Sequence, residues 1–360
     1  MNEDAGLPAQ AFPAGEYLRD EIEARGWTVA EFAQILGRPT QAVSEILNGH
    51  KEITAETAME IAAATDTEAA TWLRLQNIYR LWTLSRTAGS ERTAVVSRRA
   101  RLAQLVPMPE LRQRGIVPTG AGIDEEEAAV CEFLGIDDPL SMPVIEFAAR
   151  RSDEGRPISP AQLAWISCVR RTVRLNPSEV ASLGDTRKLA GEVVRRARVP
   201  SALASLPDLF RQYGIRLVYV APFKSGKIDG GAYLDKSGAP VVALSGRIQR
   251  IDSVVFTLLH ELAHVHLGHL ASGIALDSDV CTATQNETEH AADKLAMEWA
   301  LPGRLEFSTP ISKRAVTARA ASMGVHPGLI VGRLQYQGRL PWSHLRDLTP
   351  NVRSYLSAWV

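Results

Sequence analysis

Cysteine is scarce in this chain of 360 residues: there are three, Cys131, Cys168 and Cys281. An odd number at wide spacings excludes a disulfide framework and any cysteine-built zinc module, and leaves reduced thiols as the expectation. Long apolar runs are missing as well. No stretch reaches the roughly 18 residues needed to cross a bilayer. The acidic start Met1-Asn2-Glu3-Asp4 lacks the apolar core of a secretory signal. Excess charge of either sign is lacking too, since 40 Lys and Arg stand against 41 Asp and Glu. The whole molecule is no polycation, so any contact with nucleic acid must come from a local patch. There is no internal repeat and no low-complexity tract. A cytoplasmic protein of two or three domains is expected, away from membranes and long enough to bury cores without staples. What the chain has in excess is histidine in one place. Of eight histidines, five (His260, His264, His266, His269, His290) fall within 31 residues.

Residues 11–85 read as a five-helix unit without strands. Tyr17, Leu18 and Ile22 form the first apolar stripe, which Gly26 ends. Thr28 and Glu31 have the spacing of a capping box. Leu36-Gly37 stops that second helix, and Pro39-Thr40 opens a third that Asn48-Gly49 closes. Further helices fit residues 55–64 and 67–84. The second and third helices have helix-turn-helix spacing, which would lay the third in the DNA major groove. Gln41 and Ser44 then face base edges. Arg38, Thr40 and Lys51 suit phosphates, and Asn48 suits either. Glu45 on the same face opposes phosphate. A plain helical interaction bundle is the competing interpretation.

Residues 86–200 are expected to be a helical middle region. It contains the basic run Arg98-Arg99-Ala100-Arg101, a helix over 124–134, a linker over 150–160 and two or three helices between 161 and 197. From Ile215 the character changes. Residues 215–220, 230–234 and 240–244 read as strands, the last two around the turn Asp235-Lys236-Ser237-Gly238. Strongly apolar helices follow over 251–267 and 287–300. Residues 311–334 read as helices broken at His326-Pro327-Gly328. The fold class expected is α+β, mainly α, with a small sheet in the last part, residues 201–345.

His260-Glu261-Leu262-Ala263-His264 carries the chemistry. Histidines four apart share one helix face and can reach one metal ion. Glu261 between them can act as a general base without ligating. The flanks Val254, Val255, Leu258 and Leu259 make this helix buried, where unpaired polar groups are costly. A catalytic zinc site needs a third protein ligand and an open position. One zincin pattern places a third histidine six residues past the second, with a glycine between them. Leu267 and Leu270 occupy those two positions, so that pattern fails. A carboxylate from the next helix remains, Glu289 or Glu287. Asp293, one turn beyond Glu289, suits the free ring N–H of a ligating histidine. His266, His269 and His290 read as surface residues. His326, in its Pro-Gly turn, and more weakly Tyr233 are candidates for stabilising an oxyanion. An edge of the small sheet could hold an extended peptide by strand addition.

Ile228-Asp229-Gly230-Gly231, the run from Phe256 to His264, Glu289 with Ala292-Asp293, Ala300-Leu301-Pro302 and the tail from His326 to Leu334 together resemble the ImmA/IrrE metallopeptidase family over about residues 200–345. The resemblance implies a zincin-like fold with one Zn²⁺ per chain on His260, His264 and Glu289, and Glu261 as general base. Leu295 departs from the aromatic usual in that family, a packing change. Residues 13–18 and 38–49 resemble the XRE-like helix-turn-helix of HigA-type antidotes over about residues 11–83. That implies binding to double-stranded operator DNA, usually as a dimer. The combined expectation is an antitoxin-like or repressor-like regulator carrying a zinc endopeptidase whose substrate is a regulatory protein, a repressor or the chain itself. The alternatives are a regulator whose zincin-like part is a non-catalytic sensor or dimerisation module, and a general protease with a helical docking head.

Overall fold

Caps and glycines divide the N-terminal part into the expected helices: α1 (Ala14–Ala24), α2 (Val29–Ile35), α3 (Thr40–Leu47), α4 (Ala55–Thr65) and α5 (Ala69–Ser85). The Thr28–Glu31 capping box is formed in both directions, with the Thr28 backbone N–H donating to Glu31 at 2.7 Å. Leu18, Ile22, Phe32, Val43, Ile46, Leu47, Ile61 and Trp72 close a core of their own. Helix α6 (Ala88–Leu105) follows. The computed structural model describes residues 8–86, 88–141, 148–151, 158–177, 181–272 and 282–359. Cys281 and most of the expected linker lie outside them.

The chain divides into two units, Met1–Arg99 and Ala100–Val360. This corrects the expectation of a separate middle region. Beyond Arg99 the second unit continues through α7 (Met108–Gln113), α8 (Ile123–Leu134), β1 (Ala148–Arg151), α9 (Pro160–Leu175), α10 (Thr186–Arg196) and α11 (Leu206–Gln212). It then runs through β2 (Arg216–Tyr219), β3 (Ile228–Leu234), β4 (Pro240–Leu244), α12 (Ile251–His266), α13 (Thr282–Ala300), α14 (Lys313–Met323), α15 (Pro327–Tyr336) and α16 (Arg353–Leu356). The reason for the correction is packing. The sheet has two apolar faces: α12 packs on one, and α8 and α9, from residues 100–200, join the core on the other.

Strand order is β1-β3-β4-β2. Strands β3 and β4 form the expected antiparallel hairpin, while β2 runs parallel to β4. Alternation along the strands then sorts the side chains. Leu217, Ala232, Val242 and Leu244 join a core with α10, α12 and α15. Tyr233, Val241 and Ala243 join a second core with α8 and α9, including Trp165 and Val169, and Ile228 joins it where a register shift against β1 interrupts the alternation. The Trp165 indole N–H donates to Val220 O at 2.8 Å and ties α9 to the sheet. Strand β1 was not expected. It pairs antiparallel with β3 (Ala149 opposite Gly231), so β3 is flanked on both sides and the sheet edges are β1 and β2.

Helix α12 is buried along nearly its whole length; Leu258, Leu259 and Leu262 are fully covered. Each such side chain contributes about 1.5–3 kcal/mol by leaving water. Two glycines let backbone approach α12 closely. A Cβ on Gly332 of α15 would run into the Asp252 carboxylate. A Cβ on Gly230 of β3 would meet Thr257 Cγ2 at 2.7 Å and Glu261 Oε1 at 3.1 Å. Among the described residues no helix is long and apolar enough to cross a membrane.

Candidate metal centre and nucleic-acid interface

His260 and His264 sit one turn apart on the buried face of α12, and Glu289 comes from α13 beside it. One ligating atom of each lies within 4.8 Å of the others. His260 Nε2 is 3.1 Å from both Glu289 Oε2 and His264 Nε2, and His264 Nε2 is 3.4 Å from Glu289 Oε1. Two ring nitrogens and a carboxylate therefore converge on one point. Two imidazoles and a carboxylate at these distances are a donor set that could hold one metal ion. Glu287, the competitor for third ligand, is exposed and not part of the group.

The opposite side of each imidazole is fixed. His260 Nδ1 lies 2.8 Å from Asp293 Oδ1. A carboxylate only accepts, so Nδ1 carries the proton and Nε2 is turned into the cluster. His264 Nδ1 lies 3.1 Å from His269 Nδ1. His269 was expected to be a surface residue; the structure instead sets it half-buried behind His264. After Gly268 the chain turns back through a short 3₁₀ segment, His269–Ser272, and returns the ring to the site. Burial, with the neighbouring His264, holds the His269 pKa below its ordinary value. His266 faces away as expected, 2.7 Å from Thr186 Oγ1, and His290 is exposed.

The electrostatics of the group follow from its burial. Burial alone would lower the His260 pKa. The hydrogen bonds to Asp293 and Glu289 outweigh it and push the imidazole up to about 9. Burial would likewise raise Glu289, but the two histidines bring it down to about 2. Glu289 is thus a carboxylate throughout the working range. The Glu261 side chain is fully buried and packs against the Gly230 backbone.

The oxyanion candidates lie elsewhere. His326 is the N-cap of α15, its Nδ1 accepting from Gly328 N at 3.0 Å. No described contact joins it to the cluster. Tyr233 points into the core on the α9 side of the sheet, opposite α12, and burial pushes its phenol up to about 12. Strand parity decides this: Ala232 faces α12, so its neighbour cannot.

In the first unit, Gln41, Ser44 and Asn48 line one side of α3. Gln41 Nε2 donates to Glu45 at 3.2 Å and Asn48 Nδ2 to Ser44 Oγ at 3.4 Å. Thr40 and Lys51 are exposed at its two ends. Arg38 is held by Glu60 at 2.5 Å, so a phosphate contact there needs that pair to open. Arg19 of α1, which the sequence pattern did not single out, donates to Asn48 Oδ1 at 3.1 Å and adds a cation beside this face.

Residues 18–72 match the helix-turn-helix family. The N-terminal unit is an XRE-type helix-turn-helix. An uncharacterised helix-turn-helix transcriptional regulator of Haemophilus influenzae is 37% identical over 71 residues, which are 19% of this chain. The chain spans 66% of that regulator's length. A HigA-family addiction-module antidote from Coxiella burnetii is 31% identical, over 23% of this chain and 90% of its own, with a TM-score of 0.22. A protein assigned as the antidote of a plasmid maintenance system in Nostoc punctiforme is 28% identical, over 24% of this chain and 97% of its own, with a TM-score of 0.23. With TM-scores this low, the assignment of the N-terminal unit rests on the sequence match.

Proposed function

We propose that the chain is a DNA-binding transcription regulator of the XRE/HigA type that carries a zincin-like, ImmA/IrrE-type zinc endopeptidase directed at a regulatory protein. The observation that carries the peptidase part is the convergence of His260, His264 and Glu289 within 4.8 Å, with the carboxylate of Glu261 buried on the same helix. The donor set fits Zn²⁺: two neutral-capable imidazoles and one carboxylate, each histidine backed on its far nitrogen. A zinc ion held there supplies Lewis acidity that polarises a carbonyl and lowers the pKa of water. His260, His264 and Glu289 hold it, and Asp293 and His269 keep the two rings turned inward. Glu261 takes the proton of the attacking water and gives it to the departing amine nitrogen. The peptide then leaves as an acid and an amine, with Glu261 restored.

The helix-turn-helix part is proposed to bind operator DNA as a homodimer, with Gln41 and Ser44 toward base edges and Thr40, Asn48 and Lys51 toward the backbone. A purely structural metal site has no use for a buried Glu261, which favours catalysis over the sensor alternative. The test compares cells carrying the wild type with cells carrying Glu261→Gln. The expected result is one protein, this chain included, that yields a fragment only with the wild type. Identical proteomes in the two would leave the sensor reading in place.

A further inference from the structure

Beside the histidine cluster lies a cavity of about 230 Å³ that the proposed hydrolysis does not use. Its walls come mainly from α12, α13 and α15; none of His260, Glu261, His264 and Glu289 lines it, but α12 and α13 also carry the cluster. Asp293, which lines it, also holds His260 at 2.8 Å. Phe256, another lining residue, has its ring 6.3 Å from that of His260. The remaining lining is largely apolar, with Met297, Leu301 and Leu329 on the inside. Drug-sized ligands occupy roughly 300–1,000 Å³. An apolar cavity of about 150 Å³ holds one benzene. The size therefore suits a single aromatic side chain. Ser253, Thr257 and three carboxylates also line it, and each carboxylate is already engaged: Asp229 by Arg247, Asp252 by Arg250 and Asp293 by His260. Arg333 lines the cavity, and its Nη1 is buried with no hydrogen-bond partner among the described residues. A buried cationic donor left unmet is costly, and a bound group with an acceptor at its tip relieves it.

We propose that this cavity is the specificity subsite of the centre and receives a tyrosine side chain of the bound polypeptide, its phenolic oxygen accepting from Arg333. This rests on the peptidase reading for its meaning, but its test does not depend on turnover. Binding of N-acetyl-tyrosine amide, N-acetyl-phenylalanine amide and N-acetyl-alanine amide to the full chain is measured by NMR titration, with zinc content determined on the same samples. The tyrosine amide should bind about tenfold or more tighter than the alanine amide, from burial of the ring. It should exceed the phenylalanine amide by about three- to tenfold, from the hydrogen bond. Arg333→Met should erase the second difference and keep the first. Ala300→Trp, which fills the cavity, should erase both, provided its circular dichroism is unchanged. Should that variant misfold, Arg333→Met alone decides. Equal binding of the three amides by the wild type overturns the proposal, as does a tyrosine preference that survives Arg333→Met. Tyrosine selectivity in a chain that takes up no zinc would keep the subsite and refute the peptidase. Zinc uptake without selectivity would do the reverse.

Discussion

Replacing Gly230 with alanine adds one methyl group at the point where β3 passes over the histidine helix. The new Cβ would stand 2.7 Å from Thr257 Cγ2, 3.0 Å from Ala243 O and 3.1 Å from Glu261 Oε1. None of these gives way cheaply. Ala243 O is backbone of the central strand β4, and both Thr257 and Glu261 are buried on α12. Overpacking of this kind costs about 1–3 kcal/mol. Loss of glycine's freedom in the unfolded chain returns about 0.4–1 kcal/mol. The midpoints leave a net loss of about 1.3 kcal/mol, or a fall of roughly 3–5 °C in Tm at about 2–4 °C per kcal/mol. Gly191, exposed in α10, has nothing within 4 Å of its would-be Cβ. There the same substitution should stabilise by about 0.5–1 kcal/mol through helix propensity. The assay is urea and thermal unfolding of the full chain followed by tryptophan fluorescence, with Trp27, Trp72 and Trp82 replaced by Phe in every protein compared so that the signal comes from the second unit. Opposite signs for the two variants are expected. A Gly230→Ala protein as stable as the wild type would refute the close approach of β3 to Glu261.

Other outcomes follow from single residues. Burial lowers the His326 pKa, with the Asp252 charge acting against it, and protonation would cost the cap its acceptor. Its contribution to stability is therefore full above the ordinary histidine value near about 6.5 and is lost as pH falls below that toward the lower folded value. Against His326→Asn, which caps without titrating, the wild type should lose relative stability only on the acid side; parallel curves from about pH 5 to 8 would count against this. His269→Ala should weaken zinc binding about 10–100-fold in a chelator competition, because it frees the far side of His264; an unchanged affinity would return His269 to the surface class. Arg112→Met should destabilise the second unit by about 1–3 kcal/mol, read by urea unfolding. Glu126, whose side chain is 5% exposed, loses that ion pair, and the loss stays below that of a fully buried pair because Arg112 is about one-third exposed. A loss under about 1 kcal/mol would place the pair with ordinary surface salt bridges.

Much of the first unit was legible because its signals are local. Thr28, Glu31, Gly37 and Asn48-Gly49 act within one or two turns of where they stand. The histidine helix was legible for a similar reason: an apolar helix carries His260 and His264 four residues apart, on one face. Glu289 and Asp293 followed from the same periodicity on the next helix. What escaped depends on distant partners. Strand β1 reads Ala148-Ala149-Arg150-Arg151, with no alternation, and exists through its pairing to β3. Residues 100–200 looked separate because the apolar face of α9 gains a partner only when the sheet exposes its second side. His269 lies past a helix end, where periodicity stops predicting direction. Arg19 meets Asn48 from another helix. Tyr233 was open to correction from sequence, since its parity differs from that of Ala232.

Everything proposed for the second unit depends on His260, His264 and Glu289 holding one zinc ion for hydrolysis. Metal content of the purified full chain, measured by plasma mass spectrometry beside His264→Ala and Glu261→Gln, tests this most directly. About one zinc per chain is expected in the wild type and in Glu261→Gln, and almost none in His264→Ala. Full zinc in His264→Ala, or none in the wild type after zinc is supplied, would contradict it.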